Sequence, residues 1–184
     1  MRKIVAGTLV SLDGVMEAPD QWHFPYFDEA MGEAVSAQMA EADAMLLGRV
    51  TYQEFARFWR QQTAETPGAD FMNGVTKYVV STTLEDVDDW HNFTLIDGND
   101  FAAEMQQLKV LPGKNISVAG SAKLVQSLLG VRLLDELRLL VHPIIVDRGK
   151  RLLDGDTAQV PLKLVASQTF ETGVLSLIYQ PGDR

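Results

Sequence analysis

The chain has no cysteine among its 184 residues. Disulfides, thiolate nucleophiles and thiolate metal sites are therefore excluded, and a reducing cytoplasm is the expected setting. Positive charge is also scarce: 16 lysines and arginines stand against 25 aspartates and glutamates, a net charge of −9. Such a chain has no long-range attraction for nucleic acid or an anionic membrane surface, and neither is expected as a partner. Long apolar runs are missing too. Stretches such as residues 44–48 and 137–141 fall far short of the roughly 20 residues a membrane helix needs. The start, Met1-Arg2-Lys3-Ile4-Val5, runs into a strand pattern with no apolar h-region and no small-residue cleavage site, so no export signal is expected. There is no G-x-G-x-x-G and no P-loop, which disfavours a standard Rossmann site and an ATPase. The three histidines, His23, His91 and His142, lack metal-ligand spacing, and no metal site is expected.

What is present is an ordinary globular composition, 46% hydrophobic and 22% charged. That apolar content excludes disorder, and the length suits one domain over residues 1–184. Residues 2–11 are apolar on both alternating faces, Ile4, Ala6 and Val10 on one and Val5 and Leu9 on the other. Such a segment suits a strand buried on both sides of a parallel sheet. Residues 12–27 carry Asp13-Gly14, Pro19 and Pro25 and read as a long loop, a type of segment that often holds function. A helix is expected from Asp28 to about Glu41. A strand over 44–47 ends at Gly48, and Thr51-Tyr52-Gln53-Glu54 matches a capping box, which predicts a helix from Tyr52 to about Arg60. The stripe Phe55, Phe58 and Trp59 on that helix is expected to face the core. Strands follow over 77–81, 93–96 and 116–119. Between and after them come a helix over 101–109 capped by Asn99 and one opening at Ser121 and stopped by Gly130. Strands over 136–142, 162–166 and 174–179 then lack helices between them. Strand–helix alternation with a strand-only tail predicts an α/β domain, its sheet mostly parallel with an antiparallel edge.

Two segments repeat one device. Ala44-Met45-Leu46-Leu47-Gly48-Arg49-Val50-Thr51 and Ile116-Ser117-Val118-Ala119-Gly120-Ser121-Ala122 both read as strand, glycine, helix start. A glycine at a strand's end lets a ligand approach the backbone closely. The helix beginning there offers unpaired N–H groups and a positive dipole end, which favour phosphate. In open α/β sheets, ligands sit at the carboxyl ends of the strands, where both turns lie.

The order of Ser11-Leu12-Asp13-Gly14, then Leu46-Leu47-Gly48-Arg49-Val50-Thr51-Tyr52-Gln53-Glu54-Phe55, then Lys77-Tyr78-Val79-Val80-Ser81, then Val118-Ala119-Gly120-Ser121 resembles the dihydrofolate reductase-like superfamily. The likeness is closest to the branch related to the pyrimidine-reductase domain of bacterial riboflavin biosynthesis. It extends over essentially the whole chain, through Pro143, Gly149 and Leu152-Leu153. The resemblance implies a single-domain sandwich: a mostly parallel central sheet of about eight strands, an antiparallel C-terminal edge strand, and helices on both faces. It also implies NADPH as cofactor. By position it implies Gly48, Arg49 and Thr51 at the first phosphate turn, with Arg49 as the partner of the adenosine 2′-phosphate. Ser81 and Thr82 correspond to adenosine-side contacts, and Gly120, Ser121 and Ala122 to the pyrophosphate turn. Each has a plainer alternative: Thr51 as a helix cap, Arg49 as a solvated side chain, the glycines as packing residues. Relatives with this sheet are commonly dimers, and a homodimer through the strand-only C-terminal region is the matching expectation, with a covered edge an equally physical solution.

Hydride transfer from a nicotinamide also needs a flat acceptor held against the ring and a proton for the reduced site. Candidates lie on the 12–27 loop and the helix after it: Asp13, Glu17, Trp22, His23, Phe24 and Asp28. Folate-reducing relatives place an acid shortly after a Trp-x-x-Pro element. Here Trp22-His23-Phe24-Pro25 is followed by Phe27 at that spacing, and Asp28 comes one place later, turned by about 100° on a helix. Folate itself is thereby disfavoured. Asp13, in a Ser-x-Asp-Gly element similar to that of the pyrimidine-reductase branch, is the first candidate for substrate contact and catalysis, with Asp28 the alternate acid. Asp13 as a turn former and Asp28 as a helix cap are the bland alternatives. Trp22 and Phe24 could stack on a heterocycle or anchor the loop. No obvious basic cluster offers a second phosphate site near the loop; Lys150 and Arg151 are candidates for it or else solvated surface charges, and an unphosphorylated substrate is the matching alternative. The expected function is therefore an NADPH-dependent reductase of a small flat heterocycle, resembling 5-amino-6-(5-phosphoribosylamino)uracil reductase. A non-redox nucleotide- or drug-binding module on the same fold is the alternative, and a flavin or mononucleotide enzyme a third reading.

Overall fold

The two-faced apolar pattern of the N-terminal segment becomes β1 (Ile4–Ser11), a central strand with helices above and below it. The computed structural model describes residues 1–84, 90–154 and 159–182. After β1 come α1 (Glu29–Ala40), β2 (Ala42–Gly48), α2 (Arg49–Trp59), α3 (Ala69–Gly74), β3 (Thr76–Ser81) and β4 (Phe93–Asp97). Then follow α4 (Phe101–Val110), β5 (Asn115–Val118), α5 (Ala122–Gly130), β6 (Glu136–His142), β7 (Leu162–Thr169) and β8 (Leu175–Pro181). The eight strands form one sheet in the order β4-β3-β2-β5-β1-β6-β8-β7. Every pairing from β4 to β6 is parallel. β8 runs antiparallel to both β6 and β7, so the antiparallel pairing is confined to the C-terminal edge.

Alternation sorts the side chains into two cores. Ile4, Ala6 and Val10 of β1, with Ala44 and Leu46 of β2, meet Met105 and Leu108 of α4 and Leu124, Val125 and Leu128 of α5. On the other face Met45 and Leu47 of β2 meet Tyr52 and Ala56 of α2 and Met72 of α3, while Met31 of α1 lies with Leu9 and Leu140. The chain moves outward from β1 through β2 and β3 to β4, then returns inward through β5 to β6. These strands run parallel, so the carboxyl ends of β2, β5, β1 and β6 lie along one edge of the sheet, the edge at which open α/β sheets take their ligands. Among the described residues no helix is long and apolar enough to cross a membrane.

Several local expectations are corrected. α2 begins at Arg49 rather than Tyr52, with Gly48 as its N-cap, so Thr51 lies inside the first turn and the capping box does not form. The strand end itself supplies the extended N-cap geometry, and the helix starts one residue after it. Asn99 lies in a 3-10 turn and donates to Asp97, while Asp100 occupies the N-cap position of α4. α5 continues through Gly130 instead of stopping before it. Phe55 and Trp59 pack on the core, but Phe58 is exposed and meets Trp59 edge-on. Helix α3, too short to show a period, was not expected.

Lys77 on β3 is fully buried. Its ammonium lies 4.2 Å from the centre of the Trp90 ring and donates to the carbonyls of Val75 (2.9 Å), His91 (3.0 Å) and Asn73 (3.4 Å). Burial pushes its pKa down to about 8. In the unfolded chain a lysine titrates near 10.4, so between these values the unfolded state holds more protons and stability rises with pH. Wild type is therefore expected to gain on Lys77→Met in urea midpoint from pH 8 to pH 10; parallel midpoints across that range would contradict it.

Candidate functional site

The parallel pairing of β2 with β5, Met45 opposite Ser117 and Leu46 opposite Val118, ends both strands side by side. Each then starts a helix. Gly48 caps α2 and Ser121 caps α5, both in extended conformation and neither cap making a side-chain hydrogen bond. The first-turn N–H groups of both helices are thus left without a capping side chain. The two turns touch. A Cβ on Gly48 would lie 2.9 Å from the Ser121 hydroxyl, and one on Gly120 would lie 3.3 Å from that of Thr51. Gly120 has a φ of +148°, in the region that favours glycine, and its peptide bond to Ser121 is cis. Four expected site residues, Gly48, Thr51, Gly120 and Ser121, are therefore in one cradle, with Ala122 the next residue along. Arg49, the first residue of α2, is exposed and makes no hydrogen bond or ion pair among the described residues.

On the neighbouring strand, Ser81 ends β3. Its hydroxyl oxygen accepts from the N–H groups of Thr83 (3.1 Å) and Leu84 (3.0 Å), closing the turn while keeping its own hydrogen to donate. Thr82 is exposed beside Gly98, where a Cβ would lie 2.9 Å from the threonine methyl. Met16, from the loop after β1, reaches within 3.9 Å of a Cβ placed on Gly120. It was not among the residues singled out from sequence.

The opposite rim is built around Asp13, and its carboxylate is already engaged. Oδ1 accepts from the Ser11 hydroxyl (2.7 Å) and Val146 N–H (3.1 Å); Oδ2 accepts from Asp147 N–H (3.0 Å) and the Arg151 guanidinium (3.3 Å). Arg151 also donates through Nε to the Asp13 carbonyl at 3.0 Å. Backbone bonds Leu12 to Ile144, Met16 to Lys150 and Leu152 to Gly14 complete a clasp between the two loops. Hydrogen bonding, foremost from Ser11, holds the Asp13 carboxyl well below the usual carboxylate range. Hydrogen-bonded in this way, the Asp13 carboxylate ties the end of β1 to the loop after β6. Arg151 is committed to the same clasp, and the Lys150 ammonium lies 3.6 Å from Glu17. This pair does not form a free phosphate cluster.

Asp28 caps α1, its Oδ1 accepting from Met31 N–H at 2.8 Å. Trp22 is buried and anchors the loop: its indole donates to the Glu17 carbonyl at 3.1 Å and meets His142 edge-on at 5.2 Å. Phe24 is exposed. Two 3-10 turns, Pro19–Gln21 and Phe24–Tyr26, stiffen the segment that reads as open loop. They also deliver His23 onto His142, with Nδ1 of the first 3.1 Å from Nε2 of the second. Sequence separation hid this pair; only the partly apolar setting of each histidine hints at it.

Asp13→Asn is expected to melt below wild type at pH 7, because the neutral amide cannot serve four donors as the carboxylate does. Since the folded-state value is depressed, this advantage is full above the unfolded value near 3.9 and shrinks as pH falls below it. Thermal midpoints at pH 7 and pH 3 check this; an equal gap at both would contradict it.

Comparison with known proteins is consistent along the whole chain. The Bacillus subtilis (strain 168) protein YyaP, itself uncharacterized, is 28% identical over 97% of this chain and 94% of its own length. A pyrimidine reductase-like protein from Corynebacterium diphtheriae superposes with a TM-score of 0.68 at 14% identity, covering 100% of this chain and 93% of that one. Dihydrofolate reductase from Enterococcus faecalis, solved with NADP(H), superposes with a TM-score of 0.67 at 13% identity, covering 98% and 97%. Both superpositions establish the dihydrofolate reductase-like fold. Residues 2–176 match the RibD C-terminal domain. With sequence match, sheet order and paired glycine turns in agreement, the chain belongs to the RibD C-terminal domain family.

Proposed function

We propose that this protein is an NADPH-dependent reductase of a small flat heterocycle. The observation that carries the reading is that two helix N-termini without capping side chains meet, with Gly48 and Gly120 letting the turns approach until a Cβ would crowd the Ser121 and Thr51 hydroxyls. A pyrophosphate fits such a place by charge and by hydrogen bonding to backbone N–H groups. Gly48, Thr51, Gly120, Ser121 and Ala122 would hold it, Arg49 would take the adenosine 2′-phosphate, and Ser81 and Thr82 would line the adenosine side. When bound, NADPH supplies the hydride. The residues on this chain exclude water and orient the acceptor: Phe24 offers an exposed ring at the loop, Trp22 fixes that loop from below, and Asp13 fixes the rim.

A second reading has one observation in its favour. Both carboxylates expected to act as acids, Asp13 and Asp28, are spent on backbone and side-chain donors. A nucleotide-binding module without turnover would need neither. NADPH binding with no oxidation across pterins, aminopyrimidines and quinones would favour it.

A homodimer belongs to the same proposal. Edge strand β7 is exposed along its whole length, with Leu164 and Val165 uncovered. Sedimentation at micromolar concentration should show a dimer, and a monomer would contradict the pairing. For the cofactor, Arg49→Ala is expected to weaken NADPH roughly 10- to 100-fold, the worth of a charge-assisted bidentate contact. NADH, lacking the 2′-phosphate, should lose little. Equal losses for the two would remove Arg49 from this role.

A further inference from the structure

We propose that His23 and His142 act as one proton-delivering unit for this reduction, with His23 Nε2 as the donating atom and His142 as the positioning residue. The inference rests on the reductase reading above. Its ground is a hydrogen-bond chain whose direction is fixed at one end. His142 Nδ1 faces the carbonyls of Leu140 (2.9 Å) and Val10 (3.3 Å), which only accept, so Nδ1 carries the hydrogen. In the neutral ring Nε2 is then an acceptor, and the His23 Nδ1 lying 3.1 Å away must carry its own hydrogen toward it. This leaves His23 Nε2 as the lone pair with no partner among the described residues. A proton taken up by the pair goes there, because the other three ring nitrogens are committed.

Place and surroundings fit delivery to a bound acceptor. His142 ends β6, at the same end of the sheet as the glycine turns of β2 and β5. β5 and β6 flank β1 and lie about 10 Å apart sideways. Val118 stands level with Ala6 and His142 with Ser11, so β6 carries His142 roughly 16 Å beyond the end of β5 along the strands. An acceptor stacked on the nicotinamide beyond the pyrophosphate turn would lie toward that overhang. His142 is fully buried and His23 retains 9% exposure, so the pair is closed to bulk water except at the His23 side. Around it stand Trp22 and Tyr26 against His142 and Phe24 and Phe27 against His23. From β1 and β6 only the carbonyls of Val10 and Leu140 reach it. Among the described residues Tyr26 is the one further titratable ring in contact with the pair. Of the loop's carboxylates, Asp28 is turned to Met31 N–H and Glu17 to Lys150. Burial, and for His23 the neighbouring imidazole, push both rings below the ordinary histidine value, which makes the protonated pair a ready donor.

The step balances simply. A hydride from the reduced nicotinamide forms a C–H bond at a polarised C=N or C=O carbon, whose π electrons move to the heteroatom. That heteroatom takes the proton from His23 Nε2, and the cofactor leaves oxidised. The neutral pair regains a proton from water. The substrate class this fits is a heterocycle or conjugated acceptor with a basic ring nitrogen or carbonyl oxygen at the loop.

The test combines binding, turnover and nitrogen-15 NMR of histidine-labelled protein. The spectrum should show hydrogens on Nδ1 of both rings, with His23 Nε2 as the nitrogen that titrates. His23→Gln should bind NADPH as wild type does, lose about 100-fold in kcat with KM little changed, and lose the falling limb of the pH profile on the basic side. His142→Asn, which keeps His23, should shift that limb rather than abolish it. Unchanged kcat and pH profile in His23→Gln, with NADPH binding intact, would overturn the inference alone; so would a His23 tautomer with hydrogen on Nε2 at neutral pH. Failure of wild type to bind NADPH would overturn the reductase reading beneath it.

Discussion

The site depends on the close contact of β2 and β5 at their carboxyl ends. Parallel pairing brings two helix N-termini together, and the contact leaves no room for a Cβ at Gly48 beside Ser121. Two positive dipole ends so placed repel each other weakly and leave several N–H groups unserved. An anion between them relieves both costs at once. On the proposed reading, local N–H groups and Arg49 would act on a phosphorylated cofactor at contact distance, where the net charge of −9 matters little.

The far rim follows a different logic. Ser11, Val146, Asp147 and Arg151 all converge on one carboxylate, so that Asp13 ties the end of β1 to the loop after β6. A charge satisfied in this way fastens the two loops, and the same hydrogen bonds hold its carboxyl below the usual carboxylate range. The aromatic loop closes over His23 and His142, the pair proposed to deliver the proton.

The sheet was legible because its strands carry strong signals. β1 shows two apolar faces, β2 and β5 end in glycine, and the strand-only tail marks the antiparallel edge. The paired glycine turns were legible for the same reason: glycine at a strand end and a helix start beside it are local in sequence. The substrate side was not. Asp13 looks like a free acid until residues 146–151 fold onto it, more than 130 positions away. Asp28 satisfies its cap within three residues, and pattern alone cannot tell a capping carboxylate from a catalytic one. The start of α2 was misplaced because Thr51 and Glu54 fit a capping box, while the extended Gly48 already caps the helix. His23 and His142, 119 positions apart, form a unit that only the pairing of β1 with β6 and the folding of the loop reveal.

The central claim is that the two glycine turns hold the cofactor's pyrophosphate. Amide chemical-shift mapping during titration with NADPH and, separately, NADH tests it most directly. The account predicts saturable shifts at Gly48, Arg49, Thr51, Gly120, Ser121 and Ala122 for both, with NADPH tighter and the difference centred on Arg49. Shifts confined to other parts of the chain, or no saturable shift with either nucleotide, would contradict it.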